Sequence, residues 1–323
     1  MAEVVLITGA AGFVGSHLLA MLAKTEPATT LVGWRRPQRA ADLAVPPRAF
    51  GDTSAVQWQD VNLLDRDAVE RAIAELRPSA IYHCGGVANV HSSWNATFAT
   101  LEANVRGTQH VLAAVRQAGS ATRILIPGSA LVYKPSTQPI REDDAIGPVS
   151  PYGLSKLAQE MLGQKCADEG QAVVLARAFT HFGSGQDLSY ATSSFANQIA
   201  KIETGIHEPV IKVGDLDAQR DLTDVRDTVR AYHALITRGR PNRPYNVCSG
   251  RTLKIRDVLE GLLRLATVSV QVQIDPSRIR PRDNPLLVGD HSRITEEIGW
   301  KPAIPLEQSL CDLLDYWRQV ILT

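Results

Sequence analysis

The sequence predicts an α/β fold: a Rossmann-type doubly wound parallel sheet carrying a smaller C-terminal α/β cap. Three observations predict it. Short apolar runs alternate with segments of helical periodicity through the first half of the chain. A glycine-rich turn follows the first of those runs directly. After residue 177 the alternation gives way to loops, prolines and scattered elements. Strands alternating with helices form βαβ units around a parallel sheet, and right-handed crossovers place helices on both of its faces.

The elements follow in order. Val4–Thr8 is an apolar run that ends in glycines, and residues 16–24 repeat apolar side chains at helical spacing. Residues 30–34 and 56–59 are the next strands, and 65–76 reads as a helix. Residues 80–83 form a strand, 104–117 a helix, 123–127 a strand, 155–169 a long helix and 172–177 a sixth strand. Beyond it, 183–192 is rich in Gly, Ser and polar residues and reads as a loop. Residues 194–204 read as a helix, 241–244 as a turn, 245–248 as a strand, 275–285 as an extended loop or short hairpin, and 309–320 as a closing helix. No repeat and no low-complexity linker divides the chain. Residues 1–177 are the nucleotide-binding half, with some later segments returning to it, and 178–323 mainly a cap packed on the sheet.

Composition narrows the function. A chain of 323 residues makes one large α/β domain or two closely packed ones. Hydrophobic residues at 44% and charged residues at 21% are ordinary for a globular protein. Lys plus Arg and Asp plus Glu both number 34, so global charge gives no reason to expect nucleic acid as a partner. The N-terminus lacks a basic region and enters a strand at once, which is not a signal peptide. No apolar run approaches the roughly 18–20 residues that span a bilayer, so no membrane association is expected. Cys84, Cys166, Cys248 and Cys311 lie far apart, without a CxxC, and the eight histidines show no HxH or HExxH. Neither a metal site nor a disulfide framework is expected, and the default compartment is the cytoplasm.

The turn Thr8-Gly9-Ala10-Ala11-Gly12-Phe13-Val14-Gly15 stands between the first strand and the first helix. Without side chains at Gly9, Gly12 and Gly15, backbone N–H groups and the helix N-terminus can approach a pyrophosphate, and the last glycine lets helix and strand pack closely. The strand-turn-helix context is the one that gives this pattern meaning. About 20 residues further on, where an acid would accept from the 2′-hydroxyl of NAD, the chain has Trp34-Arg35-Arg36. Guanidinium groups suit a 2′-phosphate, so the expected cofactor is NADP, with NAD as the alternative. Asp60, at the end of the third strand, is a candidate for the adenine edge.

Ser150-Pro151-Tyr152-Gly153-Leu154-Ser155-Lys156 sets a tyrosine and a lysine four residues apart at a helix start, on one face. A nearby ammonium favours the phenolate, so Lys156 is expected to lower the Tyr152 pKa and make it a proton donor or acceptor. Ser129 ends a strand, where ligands bind in such sheets, and is the candidate to orient the substrate oxygen.

With these residues the chain resembles the extended short-chain dehydrogenases that modify nucleotide sugars, and the likeness covers nearly its whole length. Asn104-Val105-Arg106-Gly107-Thr108 is similar to that family's NxxGT segment, and residues 220–227, RDLTDVRD, to its RDFTDVRD block. Residues 245–250 and 275–283 extend the match. Residues 195–199, 202–203 and 209–216 are similar to the members that reduce GDP-linked 4-keto sugars. The resemblance implies reduction at C4 of a nucleotide-diphosphate 4-keto-6-deoxyhexose, GDP-linked, from GDP-4-keto-6-deoxy-D-mannose to GDP-D-rhamnose. A nucleotide-sugar 4-epimerase is the alternative, and a homodimer formed through segments 102–117 and 155–169 is expected.

It also implies that Val61, Cys84, Gly85, Gly86, Asn104 and Phe179 line the cofactor together with Tyr152 and Lys156. Val87, Ser129, Thr180, Lys212, Arg220, Arg280 and Asp283 would line the substrate, with the arginines on its pyrophosphate. Two departures stand out. Leu131 occupies the place of a family glutamate, and leucine can neither donate nor take the protons that dehydration moves. Thr180 replaces the asparagine of an RxFNH segment.

Overall fold

The computed structural model describes residues 3–37, 55–279 and 286–322. The first half runs β1 (Val4–Thr8), α1 (Phe13–Thr25), β2 (Thr30–Arg35), β3 (Gln57–Asp60), α2 (Arg66–Leu76), β4 (Ala80–His83), α3 (Val90–Asn95) and α4 (Thr97–Leu101). A π-helical turn, Glu102–Arg106, leads into α5 (Gly107–Ala118), followed by β5 (Arg123–Ser129), α6 (Pro151–Asp168) and β6 (Ala172–Ala178). The second half runs β7 (Thr180–Phe182), α7 (Ala191–Glu203), β8 (Val210–Val213), β9 (Gln219–Asp224), α8 (Val225–Arg238) and β10 (Pro244–Val247). It closes with β11 (Thr252–Lys254), α9 (Ile255–Leu265), β12 (Gln271–Ile274), β13 (Leu286–Leu287), α10 (Ser292–Ile298) and α11 (Leu306–Leu322).

Seven strands pair in the order β10-β6-β5-β4-β1-β2-β3, every neighbouring pair parallel. This is the doubly wound parallel sheet that the alternation predicts. The order reverses between β1 and β4, so a crevice opens beyond their carboxyl ends, where ligands bind in such sheets. Successive side chains of a strand face opposite sides. Val5 and Ile7 join a core with α1, α8 and α10, while Leu6 joins one with α2 and α5. A third core gathers Phe195, Ile199, Leu262, Leu313 and Trp317 from α7, α9 and α11. Small sheets surround it: β9 pairs with β7, β11 and β13, and β8 pairs with β12.

Three local differences from the sequence reading position the site. The helix expected at 155–169 begins at Pro151, because the Ser150 side chain accepts from the Gly153 N–H at 3.0 Å and proline fits the first helical position. Tyr152 therefore sits in the first turn of α6. The strand expected at 123–127 continues to Ser129, paired with Ala178 across β6. The RDLTDVRD block splits into a strand end and a helix start: Asp224 caps α8 by accepting from the Arg226 N–H at 2.8 Å. Among the described residues, no helix is long and apolar enough to cross a membrane.

Candidate active site

The crevice begins at the glycine turn. Gly9 has φ +65°, a region L side chains rarely adopt, and a Cβ there would stand 2.7 Å from the Gly85 Cα. A Cβ on Gly15 would collide with the Gly9 carbonyl, which fixes how closely α1 approaches the turn. Gly12 is the N-cap of α1 and brings no side-chain cap, and the first turn holds no acid. The leading amides of Phe13, Val14 and Gly15 thus face the crevice end of β1 with the helix dipole behind them, an arrangement that fits a dinucleotide pyrophosphate. The Phe13 ring lies parallel to His181 at 6.1 Å and edge-on to His17 at 5.5 Å, which ties the turn to the second half of the chain.

The other wall follows β4. Cys84, Gly85, Gly86 and Val87 run past the carboxyl end of that strand, and burial pushes the Cys84 thiol up to about 12. Asn104, buried in the π turn, accepts from the Val87 N–H at 2.7 Å and donates to the Val87 carbonyl at 3.0 Å and to Ser155 Oγ at 2.9 Å. Its amide clamps the loop to α6. At the far end of the crevice, Arg35 Nε donates to Asp60 Oδ1 at 2.6 Å and its guanidinium lies over the Trp58 ring at 5.7 Å. Arg36 beside it is exposed, while Val61 is buried and its N–H donates to the Arg35 carbonyl. Arg35 and Asp60 thus face one another, and Arg36 extends toward solvent.

Ser129, Tyr152 and Lys156 come together between these walls. Ser129 ends β5, and its Oγ accepts from the Leu131 N–H at 3.2 Å. It stands close enough to Tyr152 to favour the phenolate. The Tyr152 N–H donates to Ser93 Oγ at 3.2 Å, and Ser155 Oγ donates to the Tyr152 carbonyl at 2.7 Å, so the first turn of α6 is held from both sides. Lys156 Nζ donates to Gln159 Oε1 at 2.5 Å. One expectation is reversed. Burial pushes the Tyr152 pKa up rather than down, with Tyr190 adding to the rise and Ser129 opposing it. The same burial pushes Lys156 down to about 8. Desolvation acts on both groups and outweighs any pull of the ammonium on the phenol.

The family model for GDP-mannose 4,6 dehydratase matches residues 6–313 of this chain. The chain belongs to that family. Its members are NAD(P)-dependent extended short-chain dehydrogenases, as the sequence resemblance implies. A GDP-6-deoxy-D-mannose reductase of Pseudomonas aeruginosa is 35% identical to this chain, with 98% of each chain covered. The solved structure of RMD from Pseudomonas aeruginosa complexed with NADPH superposes with a TM-score of 0.83 at 32% identity, covering 99% of this chain and 100% of that one. A UDP-glucose 4-epimerase of Thermus thermophilus, in complex with NAD, has a TM-score of 0.82 at 25% identity over 98% and 99% of the two chains.

In this member of the dehydratase family, Leu131 lies in a short 3-10 turn straight after Ser129, beside a small apolar cluster of Ala130, Val132 and Tyr133. No proton-transferring group stands at that position. Thr180 opens β7 opposite Leu222, and Phe179 is buried against Tyr133 and Gly289. Lys212 is exposed on β8, and Arg220 is half-buried on β9 with Nη1 donating to the Gln219 carbonyl at 2.9 Å. Arg280 and Asp283 lie outside the described residues. Sequence reasoning missed Tyr190, which precedes α7, donates to the Ala88 carbonyl at 3.2 Å and acts electrostatically on Tyr152. Its position in a polar loop gives no signal in one sequence. Among the described residues, no cluster of His, Cys, Asp or Glu could hold a metal ion.

Proposed function

We propose that this chain reduces the C4 keto group of a nucleotide-diphosphate 4-keto-6-deoxyhexose with NADPH, converting GDP-4-keto-6-deoxy-D-mannose to GDP-D-rhamnose. The observation that carries the reading is the Ser129–Tyr152 pair with Leu131 in the place of an acid, in a chain 35% identical over 98% of its length to a GDP-6-deoxy-D-mannose reductase. The nicotinamide, when bound, supplies the hydride. Tyr152 gives its proton to O4 as the alcohol forms, and Ser129 donates a hydrogen bond to that same oxygen. A phenol kept neutral by burial holds the proton that reduction requires, and a nascent alkoxide is basic enough to take it. Lys156 and Asn104 hold Tyr152 and the Gly86–Val87 loop in register, and closeness of the reacting groups supplies much of the rate.

Gly9, Gly12, Phe13, Val14 and Gly15 take the pyrophosphate of the cofactor, and Arg36, with Arg35 behind it, takes the 2′-phosphate. Residues 178–323 contribute Thr180, Lys212, Arg220, Arg280 and Asp283 to the nucleotide sugar. The reaction belongs to the cytoplasm, in keeping with four free cysteines. We also propose a homodimer. Trp94, Phe98, Leu154 and Met161 are exposed on α3, α4 and α6, which pack on one another, and form an apolar patch that a second copy would cover. Light scattering of the purified protein gives the mass of two chains if this is right and of one if it is not.

Epimerase relatives that match the whole chain favour one second reading, a nucleotide-sugar 4-epimerase on the same residues. Net turnover separates the two. A panel of GDP-, dTDP-, CDP- and UDP-linked 4-keto sugars followed by NADPH absorbance gives one NADPH consumed per GDP-sugar reduced. An epimerase interconverts its sugars and consumes none.

A further inference from the structure

A buried polar chain runs behind the crevice from the glycine turn to Lys156. The Gly85 N–H donates to Thr8 Oγ1 at 2.9 Å, and Thr8 Oγ1 and His83 Nδ1 are 2.9 Å apart. His83 Nε2 lies 2.9 Å from Thr108 Oγ1, Gln159 Nε2 donates to that same oxygen at 2.6 Å, and Gln159 Oε1 accepts from Lys156 Nζ at 2.5 Å. Thr8, His83, Thr108 and Gln159 are all essentially inaccessible to solvent. Five elements meet here: β1, β4, α5, α6 and the π turn.

The direction of the bonds at Thr108 follows from one atom. Thr108 Oγ1 stands 2.6 Å from the Asn104 carbonyl, which can only accept, so the single hydroxyl proton of Thr108 goes there. Thr108 must then accept from both its other neighbours. His83 therefore carries its proton on Nε2. Burial pushes its pKa down to about 3, so Nδ1 is bare and accepts from the Thr8 hydroxyl. The Gln159 amide must present its nitrogen to Thr108, which turns its oxygen toward Lys156. The flipped amide would set an oxygen against a hydroxyl with no proton left to give, and an NH2 against an ammonium.

We propose that Gln159 is a positioning residue for the Lys156 ammonium, and that Thr108 and His83 fix which end of its amide Lys156 meets. The proposal deepens the reading of Lys156 as part of the catalytic group and rests on it for its importance to turnover. A buried ammonium with one good acceptor is held at one place, and the acceptor's polarity sets how readily the proton stays. The titratable groups that face Lys156 are Cys84 and His83 from the β4 side, with Tyr152 one turn earlier on α6. No carboxylate is among the groups acting on it; Cys84 favours its charged form, and the Gln159 amide oxygen accepts its hydrogen bond.

The test reads Lys156 directly and needs no substrate. Lysine labelled with 13C at Cε is titrated by NMR in the wild-type chain and in four variants, with folding checked by circular dichroism. Gln159→Leu lowers the Lys156 pKa by about one unit and Gln159→Glu raises it by at least about one. Thr108→Val, which touches neither Lys156 nor its carbonyl partner, shifts it in the same direction as Gln159→Leu, and Thr108→Ser restores the wild-type value. Opposite shifts from the two Gln159 variants are what a merely structural residue would not produce. If all four variants titrate with the wild type, the proposal is wrong even where turnover is intact. If the shifts appear and no sugar is reduced, the proposal stands and the function reading fails.

Discussion

Glu160, buried in the seven-stranded half, is neutralised by a buried arginine, whereas Asp221, buried in the smaller half, is neutralised mainly by backbone amides. Arg177 on β6 and Glu160 on α6 pair at 2.6 Å with both side chains nearly inaccessible, and Arg177 also donates to Tyr133 Oη and the Glu142 carbonyl at 2.8 Å. Asp221 on β9 has no such partner among the described residues. Its carboxylate accepts from the Ser249 and Gly250 amides, from Ser249 Oγ and from the Gly289 amide. Asp227 on α8, against the seven-stranded sheet, combines the two devices: it accepts from the Ala303 and Ile304 amides and pairs with Arg230. The first device bolts the helix that carries Tyr152 and Lys156 onto the sheet. The second gathers loops that no regular ladder could join.

Breaking each device tests the contrast. Removing one partner of a buried pair leaves the other charge uncompensated, so Glu160→Ala costs about 3–5 kcal/mol of stability by urea unfolding. It also displaces α6, so turnover falls with stability. Asp221→Ala leaves four donors without an acceptor at a less charged site and costs about 3 kcal/mol. The loss lies in the second half, so cofactor binding outlasts sugar binding. An Asp221→Ala variant as stable as wild type would remove the distinction.

Lys156 adds a third arrangement, because its hydrogen bond goes to an amide oxygen and not to a carboxylate. Burial holds it at about 8 against an ordinary lysine value of 10.5. Between those values the unfolded chain binds the proton and the folded chain does not, so stability from this group rises with pH across that window. Lys156→Met is therefore more stable than wild type at pH 7, by about 1 kcal/mol, and the gap closes as pH approaches 10. Urea midpoints at a series of pH values check it. The smallest effect belongs to the exposed end of the crevice. Arg36→Ala lowers the preference for NADPH over NADH by about tenfold, the size of one charge-assisted hydrogen bond at the surface.

How much of this is legible in the sequence depends on whether a residue's role is local. The strands at 80–83 and 172–177 are short apolar runs, and the glycine turn and the Tyr152/Lys156 spacing are local patterns that the fold keeps. The sequence reading assigns no helix to α8 or α9. The first begins inside the RDLTDVRD block, whose charges mask its apolar face, and the second carries Gly261 and charged residues among its leucines. The lowered pKa expected for Tyr152 fails because spacing shows a neighbour but not burial. The polar chain behind Lys156 joins residues 8, 83, 108 and 159, and no window of sequence holds them together.

The proposed reduction turns on Tyr152 giving a proton to a ketone. The direct measurement is NADPH oxidation with GDP-4-keto-6-deoxy-D-mannose by the wild type and Tyr152→Phe, with product stereochemistry read by NMR. The expected result is one NADPH per GDP-D-rhamnose formed, and a kcat lowered by about 10²–10⁴ in the variant with NADPH binding retained. Unchanged turnover in Tyr152→Phe, or sugar conversion by the wild type without net NADPH loss, would contradict it.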